Sequence, residues 1–548
     1  MKRSHYLSIA ILLIITLLSL PSCRKNDESG KKSKTPMASQ RGGTIVCGTI
    51  SDMDSFNDCT ANGIFTVQVL RRLYLRLMEE GPDFEKQPPT FHPLLAQSWE
   101  FSDDRKEVTF HLRKDVLWSD GIPVTAHDVR FTWQAQTSPE VAWSARSSKE
   151  FITDVQAVGN HTVRFKFSRA YAYQLIDINE GVILPKHAFE KVPFSEWRKH
   201  NFLKEHVTNG PFKIKRYEPQ QSVELERNED YFDRGKPYLD RIVFRIVPDQ
   251  AALLMQFLSE NIDVMEAIPP KDAKKVEEKS DLVLDVKSMP NYTYIGWNAE
   301  NPLFKNPRVR RALTMAIDRQ EIVDSFLYGF GEVSKSPIIS TFWAHNKNIE
   351  PWPFDPAAAK RILEEEGWKD SDGDGWIDRN GTRFEFELTT NAGNKLREDV
   401  LVKVQYYLQR IGIKINPRLL EMPVFIDRNL NHQFDAYIGN WRVGTKVDLK
   451  QIFHSSAIPK RGYNVVSYSN SEVDDLIDRT RTMEDIMEQK PLWDRIQEII
   501  HEDQPYTFLF ESKRVNGFNR RIQGVNMGIN DTYLNLHEWW IAEPKRKE

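Results

Sequence analysis

Polar and apolar residues repeat at two different periods along this chain, and the two periods take turns. A period of two runs through Glu107-Val108-Thr109-Phe110-His111-Leu112, and residues 162–167, 222–226, 241–247 and 292–298 carry strand-like composition. Each reads as a strand, and the alternation in 107–112 gives that strand one buried face. Gly42-Gly43 and Gly48 bracket a shorter β-rich run at 44–49 that opens the folded part of the chain. Helical spacing takes over at 66–78, with apolar residues at 67, 70, 73, 74 and 77, and stops before Gly81-Pro82. Further helices are predicted at 250–258 and 396–410, and after Thr125, where Asp128 three residues on completes a capping box. Asn306 followed by Pro307, and Asp355 followed by Pro356, are helix starts. The first has a buried stripe of Val309, Leu313, Ala316 and Ile317; the second has Ile362 and Leu363 inside and Gly367 as its stop. The helix at 396–410 runs through Gly412 into a strand at 413–419, the grammar of an α/β protein.

The amino terminus follows neither period. Met1-Lys2-Arg3 is basic, residues 7–20 are apolar except for Ser8, Thr16 and Ser19, and Leu20-Pro21-Ser22-Cys23 follows. Fourteen residues at ~1.5 Å each cover about 21 Å, short of a hydrocarbon core of roughly 30 Å, so a cleaved export signal is expected over 1–22. A small residue before Cys23 resembles a bacterial lipobox, which predicts acylation of Cys23 and a membrane anchor through it; Pro21 departs from the usual pattern. Residues 23–40 are polar and lysine-rich and read as a tether.

Composition narrows the function by exclusion. The 75 basic and 78 acidic residues leave a charge of −3, which offers nucleic acid no electrostatic footprint. Two cysteines remain after Cys23, so the chain is not a disulfide framework; separate buried thiols at Cys47 and Cys59 are preferred over a bridge. Nucleophile-elbow, P-loop, dinucleotide and HExxH spacings are all missing, and His200 and His206 read as surface residues rather than a metal pair. Asp370, Asp372, Asp374 and Asp378 stand at positions 1, 3, 5 and 9 of a calcium-type loop with Gly375 at position 6. Gly381 replaces the bidentate Glu of position 12. A structural calcium ion and a solvated acidic turn both fit, the turn more commonly; beyond that ion no cofactor is expected.

Four long segments carry a resemblance: PLLAQSWEFSDDRKEVTFHLRKDVLWSDGIPVTAHDVRFTW (93–133), NGPFKIKRYEPQQSVELERNEDYFDRGKPYLDRIVFRIVPD (209–249), FKNPRVRRALTMAIDRQEI (304–322) and FDPAAAKRILEEEGW (354–368). In this order they resemble the oligopeptide/dipeptide/nickel-binding class of ABC-transporter solute-binding proteins. The resemblance implies an α/β, two-lobed periplasmic-binding-protein-like fold of the larger type. Lobe I would comprise 41–85, 209–295 and 516–548, an inserted domain 86–208, and lobe II 296–515. It implies a monomeric extracytoplasmic receptor, not an enzyme. Such a receptor traps a peptide or similar small polar solute between hinged lobes and presents it to membrane permease subunits.

The same resemblance directs attention to Asn440-Trp441-Arg442. The family flanks its ligand with a Trp and, three residues on, pairs a peptide amino terminus with Asp; this chain has Gly444 there. Asp448 is the candidate replacement charge, and Arg442 a candidate partner for a carboxylate or phosphate. From lobe I, Asp54, Phe56 and Asn57 are expected to face the cleft, with Phe56 stacking on the ligand. Without the Asp, oligosaccharides, metal chelates and opines stay open beside peptides. Two rivals remain, an exported hydrolase working in the same cleft and a receptor used for signalling.

Overall fold

The computed structural model describes residues 41–84, 86–459 and 462–542; the export signal, Cys23 and the tether lie outside the described residues. The alternating segments become strands whose apolar faces are sealed. In Glu107–Leu112 the inward Val108, Phe110 and Leu112 are 0%, 0% and 2% exposed, each burial worth roughly 1.5–3 kcal/mol. This strand lies in a four-stranded antiparallel sheet, between Ala96–Phe101 and Thr162–Phe167, with Ile152–Ala157 beyond. Helix Ala126–Thr137 packs on that sheet. Its capping box forms as expected: the Thr125 N–H donates to Asp128 Oδ2 at 2.8 Å. Asp128 Oδ1 also accepts from the Lys186 N–H at 2.9 Å, which anchors the helix start to the segment behind it.

A larger sheet holds twelve strands. One half runs Lys414–Leu420, Glu385–Asn391, Ala436–Arg442, Asn291–Trp297; the other runs Val264–Met265, Thr44–Thr49, Arg241–Ile246, Ser222–Arg227, Phe212–Glu218. One parallel pair shows how a helix makes the crossover between neighbouring strands. Lys395–Gln409 crosses from Glu385–Asn391 to its neighbour Lys414–Leu420, the connection that a parallel pair requires. Gly412, at φ +83°, makes the turn out of that helix, where a β-carbon would sit 3.0 Å from Ile377 Cγ2.

Strand Tyr506–Asn519 joins the halves. Its first residues pair with Asn291–Trp297 and its last with Leu282–Ser288. A second crossing falls at Met289-Pro290, between those two partner strands, because Pro290 has no N–H to extend a ladder. The expected boundary between 295 and 296 therefore falls inside the Asn291–Trp297 strand.

Helix starts follow the sequence closely: Asn306 accepts from the Arg308 N–H at 2.9 Å and Asp355 from the Ala358 N–H at 2.8 Å. The helix expected at 66–78 runs instead as Ile64–Leu73, because Tyr74 turns to extended backbone. Cys47 and Cys59 are buried free thiols. No helix among the described residues is long and apolar enough to cross a membrane.

Candidate ligand-binding cleft

The two halves of the large sheet present different chemistry where they meet. On the lobe II side, the end of strand Ala436–Arg442 pairs with the start of Asn291–Trp297, setting Trp441 opposite Tyr292 and Arg442 opposite Asn291. Trp441 is half-buried and near-parallel to Tyr294, with centroids 6.4 Å apart and planes 9° apart. Its Nε1 donates to the Tyr506 hydroxyl at 3.2 Å. Tyr294 stacks on Tyr506 at 3.9 Å, and its hydroxyl lies 2.8 Å from that of Tyr437. All three tyrosines are buried, and burial raises their phenols above the ordinary tyrosine pKa, so the layer behind Trp441 is neutral. Asn440 Nδ2 donates to Thr293 Oγ1 at 3.2 Å, which fixes the strand end.

The lobe I side is charged. Helix Ile64–Leu73 ends in Arg71 and Arg72. Arg72 Nη2 donates to Asp531 Oδ2 at 2.5 Å, with both side chains buried, and Arg71 lies 3.9 Å from the same carboxylate. Arg514, on the joining strand, donates to the Gly528 and Ile529 carbonyls at 3.2 and 3.0 Å and so holds the loop that carries Asp531. A solvent-open recess of about 130 Å³ is lined by these two helix arginines, Glu79, Tyr231, Asp531 and His537. The buried Tyr74 hydroxyl also lines it and has no partner among the described residues. Burial pushes His537 down to about 4, so it is neutral at physiological pH.

The predicted lobe I residues go elsewhere. Phe56 does not present its ring to a cleft: it is 3% exposed and packs edge-on against Tyr217, with centroids 5.1 Å apart. Asn57 is fully buried, with Oδ1 accepting from the Cys59 N–H at 2.9 Å. Asp54 Oδ2 takes the Asn62 and Gly63 N–H groups at 2.9 and 3.0 Å, which closes the turn in front of helix Ile64–Leu73. The polar look of this turn comes from its own backbone needs.

Asp448 is likewise committed, to Arg481 Nε at 3.3 Å and the Lys450 N–H at 3.0 Å. It lies beside a contact between this part of the chain and residues 171–177. There Lys446 Nζ reaches both oxygens of buried Asp177 at 3.0 and 2.9 Å, Tyr173 donates to Gln489 Oε1 at 2.7 Å, and the Ala172 N–H donates to the Met483 carbonyl at 2.9 Å. Arg442 remains exposed, with no hydrogen bond or ion pair to any described residue.

At 370–378, Asp370, Asp372 and Asp374 bring carboxylate oxygens within 4.8 Å of one another. Asp378 instead accepts from the Ser371 N–H and hydroxyl at 3.1 and 2.7 Å, and Arg383 pairs with Asp374. Sequence reasoning missed Arg71, Arg72, Arg514 and Asp531. The adjacent arginines closing an amphipathic helix were the one local signal available.

Known proteins resemble this chain along nearly all of its length. The profile described as bacterial extracellular solute-binding proteins, family 5 Middle, matches residues 90–456. The oligopeptide-binding protein AppA of Bacillus subtilis is 33% identical, over 98% of each chain. Heme-binding protein A of Haemophilus influenzae is 26% identical, over 94% of this chain and 96% of its own. The solved structure of B. subtilis AppA in complex with a nonapeptide superposes with a TM-score of 0.76, covering 92% of this chain and all of that one. The substrate-binding protein CtaP of Listeria monocytogenes, at 25% identity, gives 0.80 over 92% of this chain. The four sequence segments and the two-lobed fold thus lead to one statement: the chain belongs to the family 5 bacterial extracellular solute-binding proteins.

Proposed function

We propose that this chain is an extracytoplasmic receptor that captures a peptide in the cleft between its lobes and hands it, chemically unchanged, to an ABC permease. The observation that carries the reading is the 33% identity over 98% of both chains to an oligopeptide-binding protein whose solved structure holds a nonapeptide. The cleft's chemistry supports it. A neutral aromatic wall suits apolar side chains, and a charged wall suits backbone and termini. Closure on the ligand needs only that the closed form bind it better than the open one. The lipobox-like Leu20-Pro21-Ser22-Cys23 supports export to the periplasmic space or cell surface and anchoring to a membrane through an acylated Cys23.

Calorimetric titration with a pool of peptides of two to nine residues tests the receptor, and mass analysis of the recovered peptides tests the absence of chemistry. Saturable binding with intact peptides is expected; cleaved peptides would favour the hydrolase rival, and no binding would remove the peptide reading. Mass spectrometry of the mature amino terminus, with Cys23→Ser as control, tests the anchor.

A further inference from the structure

Strand Tyr506–Asn519 changes partner at its middle. Phe510 is the last residue paired with Asn291–Trp297, and Lys513 the first paired with Leu282–Ser288. Along the opposite edge the short strand Gly331–Val333 runs past this point without a break. Val333, Glu332 and Gly331 face Phe510, Glu511 and Ser512, and the Phe330 carbonyl accepts from the Lys513 N–H at 2.8 Å. This strand is a splint across the joint of the two halves. Its register sets Glu332 directly opposite Glu511, and like charges so placed repel. Glu511 is 4% exposed. Its Oε1 accepts from the Ser334 hydroxyl at 3.3 Å, and its Oε2 lies 2.9 Å from both the N–H and the hydroxyl of Ser340. The same Ser340 oxygen is also hydrogen-bonded to Glu332 Oε1. A serine hydroxyl has one hydrogen, and an ionised carboxylate has none to donate. Two carboxylates on one hydroxyl therefore lack a hydrogen.

We propose that Glu332 and Glu511 bind one proton between them through Ser340, and that this proton fastens the splint and makes the joint sensitive to pH. With the proton in place, both contacts of the Ser340 oxygen carry a hydrogen. Without it, a buried carboxylate faces a second carboxylate across one shared hydroxyl. The other titratable groups nearby do not neutralise the pair. Tyr292, on the neighbouring strand, is buried and its hydroxyl has no partner among the described residues. Beside Glu332, His345 bonds the Ile338 carbonyl through Nδ1 at 2.6 Å and is held neutral by burial, while Lys335 lies 3.8 Å from Glu350. Neither Glu332 nor Glu511 has a lysine or arginine partner among the described residues. Burial pushes the Glu511 carboxyl up to about 7, and the Glu332 charge adds to that push against the Ser340 and Ser334 hydrogen bonds. The folded value thus lies above that of an unfolded glutamate, about 4.3. The stabilisation is complete below the unfolded value and is lost as pH rises through about 7. The joint stiffens in acid and loosens in base, whichever solute the cleft takes.

The test is chemical denaturation of the full chain between about pH 5 and about pH 8, in the parent, Glu511→Gln and Glu332→Gln, with and without EDTA. Glu511→Gln keeps the shape and removes the titration. Over this range the parent's folding equilibrium constant is expected to fall about tenfold or more beyond that of Glu511→Gln. Glu332→Gln alters an exposed side chain and supplies an amide hydrogen to the Ser340 oxygen, so the loss is expected to shift to higher pH or shrink as the need for a shared proton disappears. This variant carries the test should Glu511→Gln not fold. Hydrogen exchange read by mass spectrometry, corrected for its intrinsic pH dependence, is expected to quicken across 330–340 and 510–513 as the parent is made basic, and to stay level in Glu511→Gln. Parent and Glu511→Gln profiles that coincide overturn the proposal. A Glu332→Gln profile superimposable on the parent's overturns the sharing and leaves only a buried acid. Loss of stability on adding EDTA at low pH overturns it in favour of a metal ion between the same oxygens.

Discussion

The two walls of the cleft are built by different means. Lobe II offers the half-buried Trp441, backed by the buried Tyr294, Tyr506 and Tyr437 and held by ladder register and ring stacking. Lobe I offers Arg71, Arg72 and Asp531, gathered from a helix end and a loop near the carboxyl terminus, with Arg514 reaching them from the strand that joins the halves. Strand register, ring stacking and neutral hydrogen bonds preorganise the aromatic side. The charged wall depends on each ion having its partner, because buried charge is tolerated only when paired. Substitutions should therefore act mainly on ligand affinity in lobe II and on stability in lobe I.

The largest effect expected is on the charged side. Asp531→Ala leaves the buried Arg72 guanidinium without its carboxylate. Loss of one member of such a pair costs about 3–5 kcal/mol, to be read by chemical denaturation of the full chain. A loss below about 1 kcal/mol, the range of surface pairs, would show that water reaches Arg72 and that the walls do not differ in kind. Arg72→Met in the Asp531→Ala background is expected to restore part of the loss, since it removes the stranded charge.

That asymmetry also governed what the sequence could reveal. Strands such as Glu107–Leu112 and helix starts such as Asn306-Pro307 were legible because a period or a cap is a local property. The candidate Trp441 was legible through family resemblance, but its partner Tyr506 lies 65 positions away. Arg72 and Asp531 are 459 positions apart, and nothing near either announces the other. Phe56 misled because an aromatic residue in a polar turn reads the same whether it faces a ligand or, as here, Tyr217. Asp448 misled in another way: its charge is needed, but by Arg481.

An intermediate effect is expected from Trp441→Ala. The ring is half-buried and hydrogen-bonded only to the Tyr506 hydroxyl, so its removal leaves the ladder intact. A central aromatic anchor contributes about 2 kcal/mol or more to binding, so peptide affinity should fall roughly thirtyfold in calorimetric titration. Trp441→Phe should retain most of the affinity, since stacking on Tyr294 survives. Unchanged affinity in Trp441→Ala would move the ligand off the aromatic wall altogether.

The smallest expected effect tests whether the walls communicate. Lys446, five residues past Trp441, reaches across to residues 171–177 and holds both oxygens of Asp177, which also accepts from the Tyr171 hydroxyl at 2.8 Å. A clasp made only in the closed form lends its energy to closure, and Lys446→Met should then weaken peptide affinity a few-fold, as about 1 kcal/mol would. A permanent interface would instead lower stability and leave affinity alone. Acidity separates the two further. Burial, opposed by Lys446, holds the Asp177 carboxyl above the ordinary aspartate range. Because the lysine lowers that pKa more with the lobes together than apart, the clasp favours closure when Asp177 is ionised. The favour is lost as pH falls through a pKa above 3.8. Parent affinity should therefore decline on acidification, and Asp177→Asn should flatten that part of the profile. A profile identical in parent and variant would place Lys446 and Asp177 outside the closure of the two walls.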